Sequence, residues 1–167
     1  MKMKILFIPT SIFFFTIFLI SCQALHSTDP SSLAFNIPPN STLRLNKKLH
    51  VAHGNTHVVI QNGNIVIEKD KDLYNVSCRL EMKAFGPRTV MPDTFNIRRT
   101  EDGQEQASGP TILRYSTEVY LYSDHNSDII KLDCSTWGDR LDGSFPVSEI
   151  QKTLGDYFSF TFATSTH

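Results

Sequence analysis

The chain has 167 residues, with 16 Lys and Arg against 17 Asp and Glu. The first 21 residues hold two of those cations and no acid, so the remaining 146 balance 14 against 17, a net charge of −3. Five of the 12 Phe also fall in that opening stretch. The remainder is too weakly basic for a nucleic-acid binder, too polar for a polytopic membrane protein and too rich in apolar residues for a disordered tail. It has the length of one small domain with a real core.

Lys2 and Lys4 open the chain, and an uncharged apolar run from Ile5 to Ile20 comes next, interrupted only by Pro9, Thr10, Ser11 and Thr16. A basic head before a short apolar segment is the pattern of an export signal. The run is short for a spanning helix, which needs ~20 apolar residues, and Pro9 weakens a helical reading further. It ends in Leu19-Ile20-Ser21-Cys22. That tetrapeptide resembles the lipobox of bacterial lipoproteins. The resemblance implies a diacylglyceryl group on the Cys22 thiol, cleavage before Cys22 and acylation of the new amine. Acyl chains contribute ~0.8 kcal/mol per buried CH₂, so several together hold a domain at a membrane. In that family Asp after the lipidated Cys retains the protein in the inner membrane; Gln23 departs from this, so the outer membrane is expected.

From Gln23 to Ser41 the residues are mostly Ser, Thr, Asn and Pro, with no period of 2 or 3.6. This reads as a flexible tether in which Leu33, Ala34, Phe35 and Ile37 pack locally at most. About 20 such residues span roughly 25 Å as a coil and at most ~65 Å extended. The expected organisation is a signal peptide over 1–21, a tether over 22–41 and a β domain over 42–163.

Leu43, Leu45, Leu49 and Val51 predict one strand of alternating faces, carrying the Lys47-Lys48 pair. The β-branched runs 57–61 and 65–68 flank Asn62-Gly63-Asn64, a strong hairpin signal. Cys78 to Phe85, closed by Gly86-Pro87, and Thr94 to Arg99 predict two more strands. Glu101 to Pro110 reads as a polar loop with Gly103, Gly109 and Pro110. Thr111 to Tyr122 is a long strand, and Ile129 to Cys134 comes after an Asp/Asn/Ser turn. Ser148-Glu149-Ile150-Gln151 fits a capping box, Ile150 and Leu154 are spaced i, i+4, and Gly155 supplies a stop, which predicts a short helix. Tyr157, Phe158, Phe160 and Phe162 form a closing strand. Seven to nine short strands with one short C-terminal helix predict a mainly β fold, a single antiparallel β-sandwich or small barrel.

With Cys22 lipidated, Cys78 and Cys134 remain as an even pair in an oxidising compartment, and a disulfide is the expected outcome. A redox centre or zinc site is the alternative, but neither thiol belongs to a C-x-x-C. His50, His53 and His57 cross a Gly54-Asn55 turn and read as exposed loop histidines, not metal ligands. Asp124, Asn126 and Asp128 match the first three ligand positions of a calcium loop, but Ile129 and Ser135 stand where Gly and Glu are required. Turn chemistry is the reading there. Ser123, His125 and Asp133 could be assembled into a triad on paper, as residues of any sequence this rich in serine could. Asp139 and Asp142, beside Trp137 and Tyr157, could serve carbohydrate binding or hydrolysis; a polar loop over a core tryptophan is the simpler account. No catalytic residue, metal or cofactor is expected.

The segment from Cys78 through Pro87, Met91-Pro92-Asp93 and Phe95, with Leu132-Asp133-Cys134, Val147-Ser148-Glu149-Ile150 and Leu154-Gly155, resembles a group of proteobacterial envelope proteins of unknown activity. The likeness spans Leu43 to Phe158. It implies two paired cysteines in a mainly β domain and carries over no catalytic residue. The function expected is a lipid-anchored, periplasm-facing module that binds or assembles without catalysis. Its partners would be the membrane, through the lipid, and an envelope protein or glycan, with no nucleic acid. A hydrolase of envelope polymers, or a glycan-binding protein, is the alternative. Trp137, Asp139, Arg140 and Asp142 are the candidate binding loop, since loops on a rigid β scaffold often carry binding residues. The Glu101–Pro110 loop is a second candidate.

Overall fold

Alternating apolar residues give this chain strands with one dry face, and the structure gathers those faces around one core. The computed structural model describes residues 27–125 and 128–164. In chain order the strands are β1 (Thr42–Leu45), β2 (Leu49–Val51), β3 (His57–Gln61), β4 (Asn64–Val66), β5 (Ser77–Met82), β6 (Arg88–Val90), β7 (Asp93–Ser108), β8 (Ile112–Tyr122) and β9 (Ile129–Asp139). Helix α1 (Val147–Leu154) and strand β10 (Phe158–Thr161) complete the chain. Eight strands form one antiparallel sheet in the order β10-β1-β7-β8-β9-β5-β3-β4, and β2 pairs with β6 in a separate ribbon. The large sheet curls into a half-barrel. The fold is therefore mainly β with one short helix, as the strand pattern predicts.

Leu43 and Leu45 of β1, Leu80 of β5, Phe95 of β7, Val119 of β8 and Leu132 of β9 are almost fully buried on the inner face. Ile150 and Leu154 of α1 close over them. The i, i+4 spacing of those two residues is what aims the helix at the sheet. On the outer face the alternate residues are charged and pair across strands. Arg114 holds Asp133 at 2.7 Å and Glu105 at 3.0 Å, and Glu68 takes Arg79 at 3.0 Å. The pairs to Glu105 and Glu68 are partly exposed and contribute little each, ~0–1 kcal/mol, whereas Asp133 is buried beneath the Arg114 guanidinium.

Cys78 and Cys134 face each other across β5 and β9 and form a disulfide. The Asn-Gly hairpin is also present: Asn62 and Gly63 both have positive φ, as a two-residue turn of this hand requires. Gly63 is doubly constrained, because its N–H donates to the Thr153 carbonyl at 2.9 Å and Gly155 lies against it. A Cβ on Gly155 would stand 2.8 Å from the Gly63 Cα, so the stop after α1 must be glycine for space as well as for its φ of 53°.

Four expectations change. The strand expected over Leu43–Val51 is two strands in different sheets, since Asn46 and Lys47 turn aside to bond the Tyr157 carbonyl and Asp156. The Glu101–Pro110 loop is instead the outer half of β7, paired with β8 from Glu101↔Glu118 to Ser108↔Ile112. Its side chains are nearly all exposed, so no apolar alternation marks it; the backbone ladder alone makes it a strand. The capping box at Ser148 does not form: α1 starts after Pro146 and has no side-chain cap. Finally, residues 27–41 lie on the domain. Phe35 and Ile37 are buried in the core, Phe35 meets Phe162 edge to face at 5.0 Å, and the Pro30 carbonyl accepts from the Ser148 N–H at 2.9 Å. The signal region and Cys22 lie outside the described residues.

Candidate functional site

The expected binding residues lie where β9 ends. Trp137 is in β9, half-buried, its N–H donating to the Leu73 carbonyl at 2.7 Å and its ring edge-on to Tyr74 at 6.2 Å. It is neither a core tryptophan nor a neighbour of Tyr157, whose ring lies under Lys47. Asp139, Arg140 and Asp142 are exposed in the turn that closes the strand. The Asp142 carboxylate accepts the Asp139 N–H, and the Asp139 carboxylate accepts the Arg140 N–H. Both acids are thus closing the turn, each through a backbone amide. Leu141 between them is 97% exposed.

The histidines separate. His50 bonds the Thr89 hydroxyl at 3.0 Å across β2 and β6, His53 bridges to Gly86, and His57 stands 3.3 Å from Glu68. Among the described residues no group of three His, Cys, Asp or Glu could hold a metal ion. Asn126 of the calcium-like run lies outside the described residues. Asp133 of the nominal triad is held by both its oxygens on Arg114, away from the other two members.

Ser123 and His125 do come together, on a different acid. Asp93, the first residue of β7, accepts from the Ser123 hydroxyl at 2.6 Å on one oxygen and meets His125 Nδ1 at 2.8 Å on the other. Ser123 Oγ also accepts the His125 N–H at 3.1 Å. Burial pushes the Asp93 carboxyl up, but the bonds from Ser123, His125 and the Thr94 amide outweigh it, and its pKa lies below the ordinary value. The hydrogen bond to Asp93 and then that carboxylate's charge raise the His125 pKa. A relay to a nucleophile would need the serine proton aimed at the imidazole. Here serine and histidine both spend their bonds on the acid, which fixes the turn.

In the same cleft as Asp93, Asp128 receives the Arg88 guanidinium at 2.6 Å and the Ala84 N–H at 2.9 Å on a single oxygen. Arg88 Nε is buried with no hydrogen-bond partner among the described residues. Arg88, Asp128, Asp93, His125, Val90 and Met91 line one open cleft of about 470 Å³. On the same segment Phe85 is 69% and Met91 55% exposed. This corner combines apolar side chains in solvent with charged groups already fixed in place. Sequence reasoning missed Arg88 and Asp93 as members; the Met91-Pro92-Asp93 corner was the available signal. Compared with known protein families, curated proteins and solved structures, the chain matches none.

Proposed function

We propose that the protein is exported, lipidated at Cys22 and held on the periplasmic face of the outer membrane, where its β domain binds an envelope protein without chemical turnover. The lipobox-like Leu19-Ile20-Ser21-Cys22 supports the anchor and Gln23 the outer membrane. The corner from Ala84 to Asp93 carries the binding reading. Protein interfaces draw their energy from apolar anchors set among ordered polar groups. Phe85 and Met91 supply such anchors beside the Arg88–Asp128 and Asp93–His125 pairs. Because those pairs are already formed, a partner orders few new side chains on binding.

Two measurements test this. Labelling with a radioactive fatty acid marks the wild type and not Cys22→Ser; equal labelling removes the anchor. A photo-crosslinking residue at Met91 in the native envelope captures a defined protein, identified by mass spectrometry. No adduct at Met91, together with turnover of purified wall fragments by the protein, replaces binding with hydrolysis.

A further inference from the structure

We propose that an extended segment of a partner protein adds to the sheet along β4, with apolar side chains at alternate positions entering the cleft beside it and an acidic side chain meeting Lys69. This surface is separate from the Ala84–Asp93 corner, and the proposal needs neither that corner nor the lipid anchor. The large sheet has two end strands, β10 and β4. β10 turns Ser159 and Thr161 to solvent, polar residues that suit an uncovered edge. On β4 Ile65 is 43% exposed, and just beyond it Ile67 is 64% exposed. Ile67 keeps the extended backbone, at φ −78° and ψ 139°, so both side chains lie on one face. That is the core face, because Ile65 stands opposite Ile60, which is fully buried. The dry face of the sheet therefore runs on past Ile60 into solvent. Edges are commonly blunted by a charge or a proline, and neither stands between Asn64 and Ile67.

The backbone defines what can cover this edge. Asn62 and Gly63 make a two-residue turn, so Gln61 and Asn64 exchange hydrogen bonds, as do Val59 and Val66 two residues on. Ile65 falls between them, and its N–H and C=O point away from β3, the one neighbour of β4 in the sheet. The Ile67 N–H points the same way, while its carbonyl accepts the Asp70 N–H at 2.9 Å. Donors and an acceptor along an extended line match the main chain of another strand. Beside them lies a cleft of about 620 Å³ walled by Ala52, Val58, Ile65 and Ile67. Pairing on β4 places every second side chain of the added strand against the two isoleucines. Charge narrows the partner further. At the cleft rim Glu68 is already matched by Lys71, by Arg79 at 3.0 Å and by His57 at 3.3 Å. Lys69, exposed next to it, has no ion pair among the described residues. An uncompensated cation on the rim favours an acid on the incoming segment. A second copy of this chain fits poorly, since neither of its end strands, Asn64–Val66 or Phe158–Thr161, contains an acid.

The test selects short peptides displayed on phage against the full chain held in detergent. The enriched sequences should alternate apolar residues and carry an acid, and synthetic copies of them should protect the Ile65 amide from hydrogen exchange. Ile67→Pro deletes one outward N–H at a φ that proline accepts and leaves the β3–β4 ladder in place. It should weaken binding roughly three- to tenfold relative to Ile67→Val, which keeps the N–H. Lys69→Ala should weaken the acidic peptides by a similar factor and leave their Asp→Asn or Glu→Gln analogues unchanged. Equal affinity of the proline and valine variants, or enrichment of no peptide, overturns the proposal. So does a wild-type dimer that Ile67→Pro dissociates, which would give the edge to a second copy. None of these outcomes alters fatty-acid labelling at Cys22 or crosslinking at Met91, which test the anchor and the corner by themselves.

Discussion

Two parts of the molecule close the same sheet by different physics. The N-terminal cover, residues 27–41 with α1, is held by apolar burial through Phe35, Ile37, Val147 and Ile150. The corner from Ala84 to Asp93, with Ser123, His125 and Asp128, is held by hydrogen bonds and ion pairs that leave Phe85 and Met91 in solvent. Apolar burial involves no titrating charge, whereas paired charges respond to pH and are screened by salt. The contrast therefore separates a face built to stay put from one that responds to its surroundings. The disulfide between β5 and β9 ties adjacent strands of the sheet that both parts close.

Removing that tie has the largest expected effect, and it is common to both parts. The bridge closes a separation of 56 residues, worth about 4 kcal/mol in the chain-entropy model. Cys78→Ala with Cys134→Ala should lower denaturant stability by that order, with hydrogen exchange rising over the whole sheet. A rise confined to β5 and β9 would mean the two parts are independent of the bridge.

Next in size is Phe35→Ala, which should cost about 3 kcal/mol, the usual loss for deleting a buried phenyl ring. Protease cleavage should then appear within 27–41 while the Asp93 corner keeps its His125 signal. Cleavage unchanged from wild type would show that the cover is not held by this ring. The complementary change, Asp128→Ala, removes two hydrogen bonds and leaves Arg88 without its counter-ion, a loss of about 2 kcal/mol. Exchange should rise at Ala84 and stay unchanged at Phe35; a uniform rise would erase the distinction between the two parts.

Much of the fold was legible because local chemistry and tertiary need agreed. Asn62-Gly63 could only be a tight turn, Cys78 and Cys134 had one another, and Ile150 with Leu154 marked a buried helical stripe. What escaped was decided at a distance. The outer half of β7 is polar on both sides and is a strand only because β8 supplies its ladder. Phe35 and Ile37 sit among prolines and serines that speak for a tether, yet Phe162, over a hundred residues on, gives Phe35 a place to bury. The corner escaped for the same reason. Ser123 and His125 were visible as neighbours, but their acid lies about thirty residues upstream, at the start of a different strand, where no spacing in the sequence points. Asp139, Arg140 and Asp142 lie exposed at a turn, but Trp137 belongs to β9 and not to the core, and the use of the two acids in closing the turn shows only in the hydrogen bonds.

The smallest expected effect is the pH response of the corner. His125 is raised by Asp93, so the part of its interaction that needs the imidazolium is complete below its unperturbed value of ~6.5 and is lost as pH rises through the higher folded value. Asp93 is lowered, so its contribution is complete above ~3.9 and is lost as pH falls through the lower folded value. Between those limits the ion pair is intact, and the turn at Ser123–His125 is at its most ordered. NMR titration of the His125 ring should therefore give a midpoint above that of an unperturbed histidine. Asp93→Asn should return the midpoint to the ordinary range, and Ser123→Ala, which keeps the carboxylate, should leave it raised. Among the described residues the N-terminal cover holds no histidine, and Asp29 is lowered by its bonds from the Ser31 side chain and amide, within its own turn. Exchange at Phe35 should thus stay flat through the pH range in which His125 titrates. If the His125 midpoint ignores Asp93→Asn, the corner is not held by this pair.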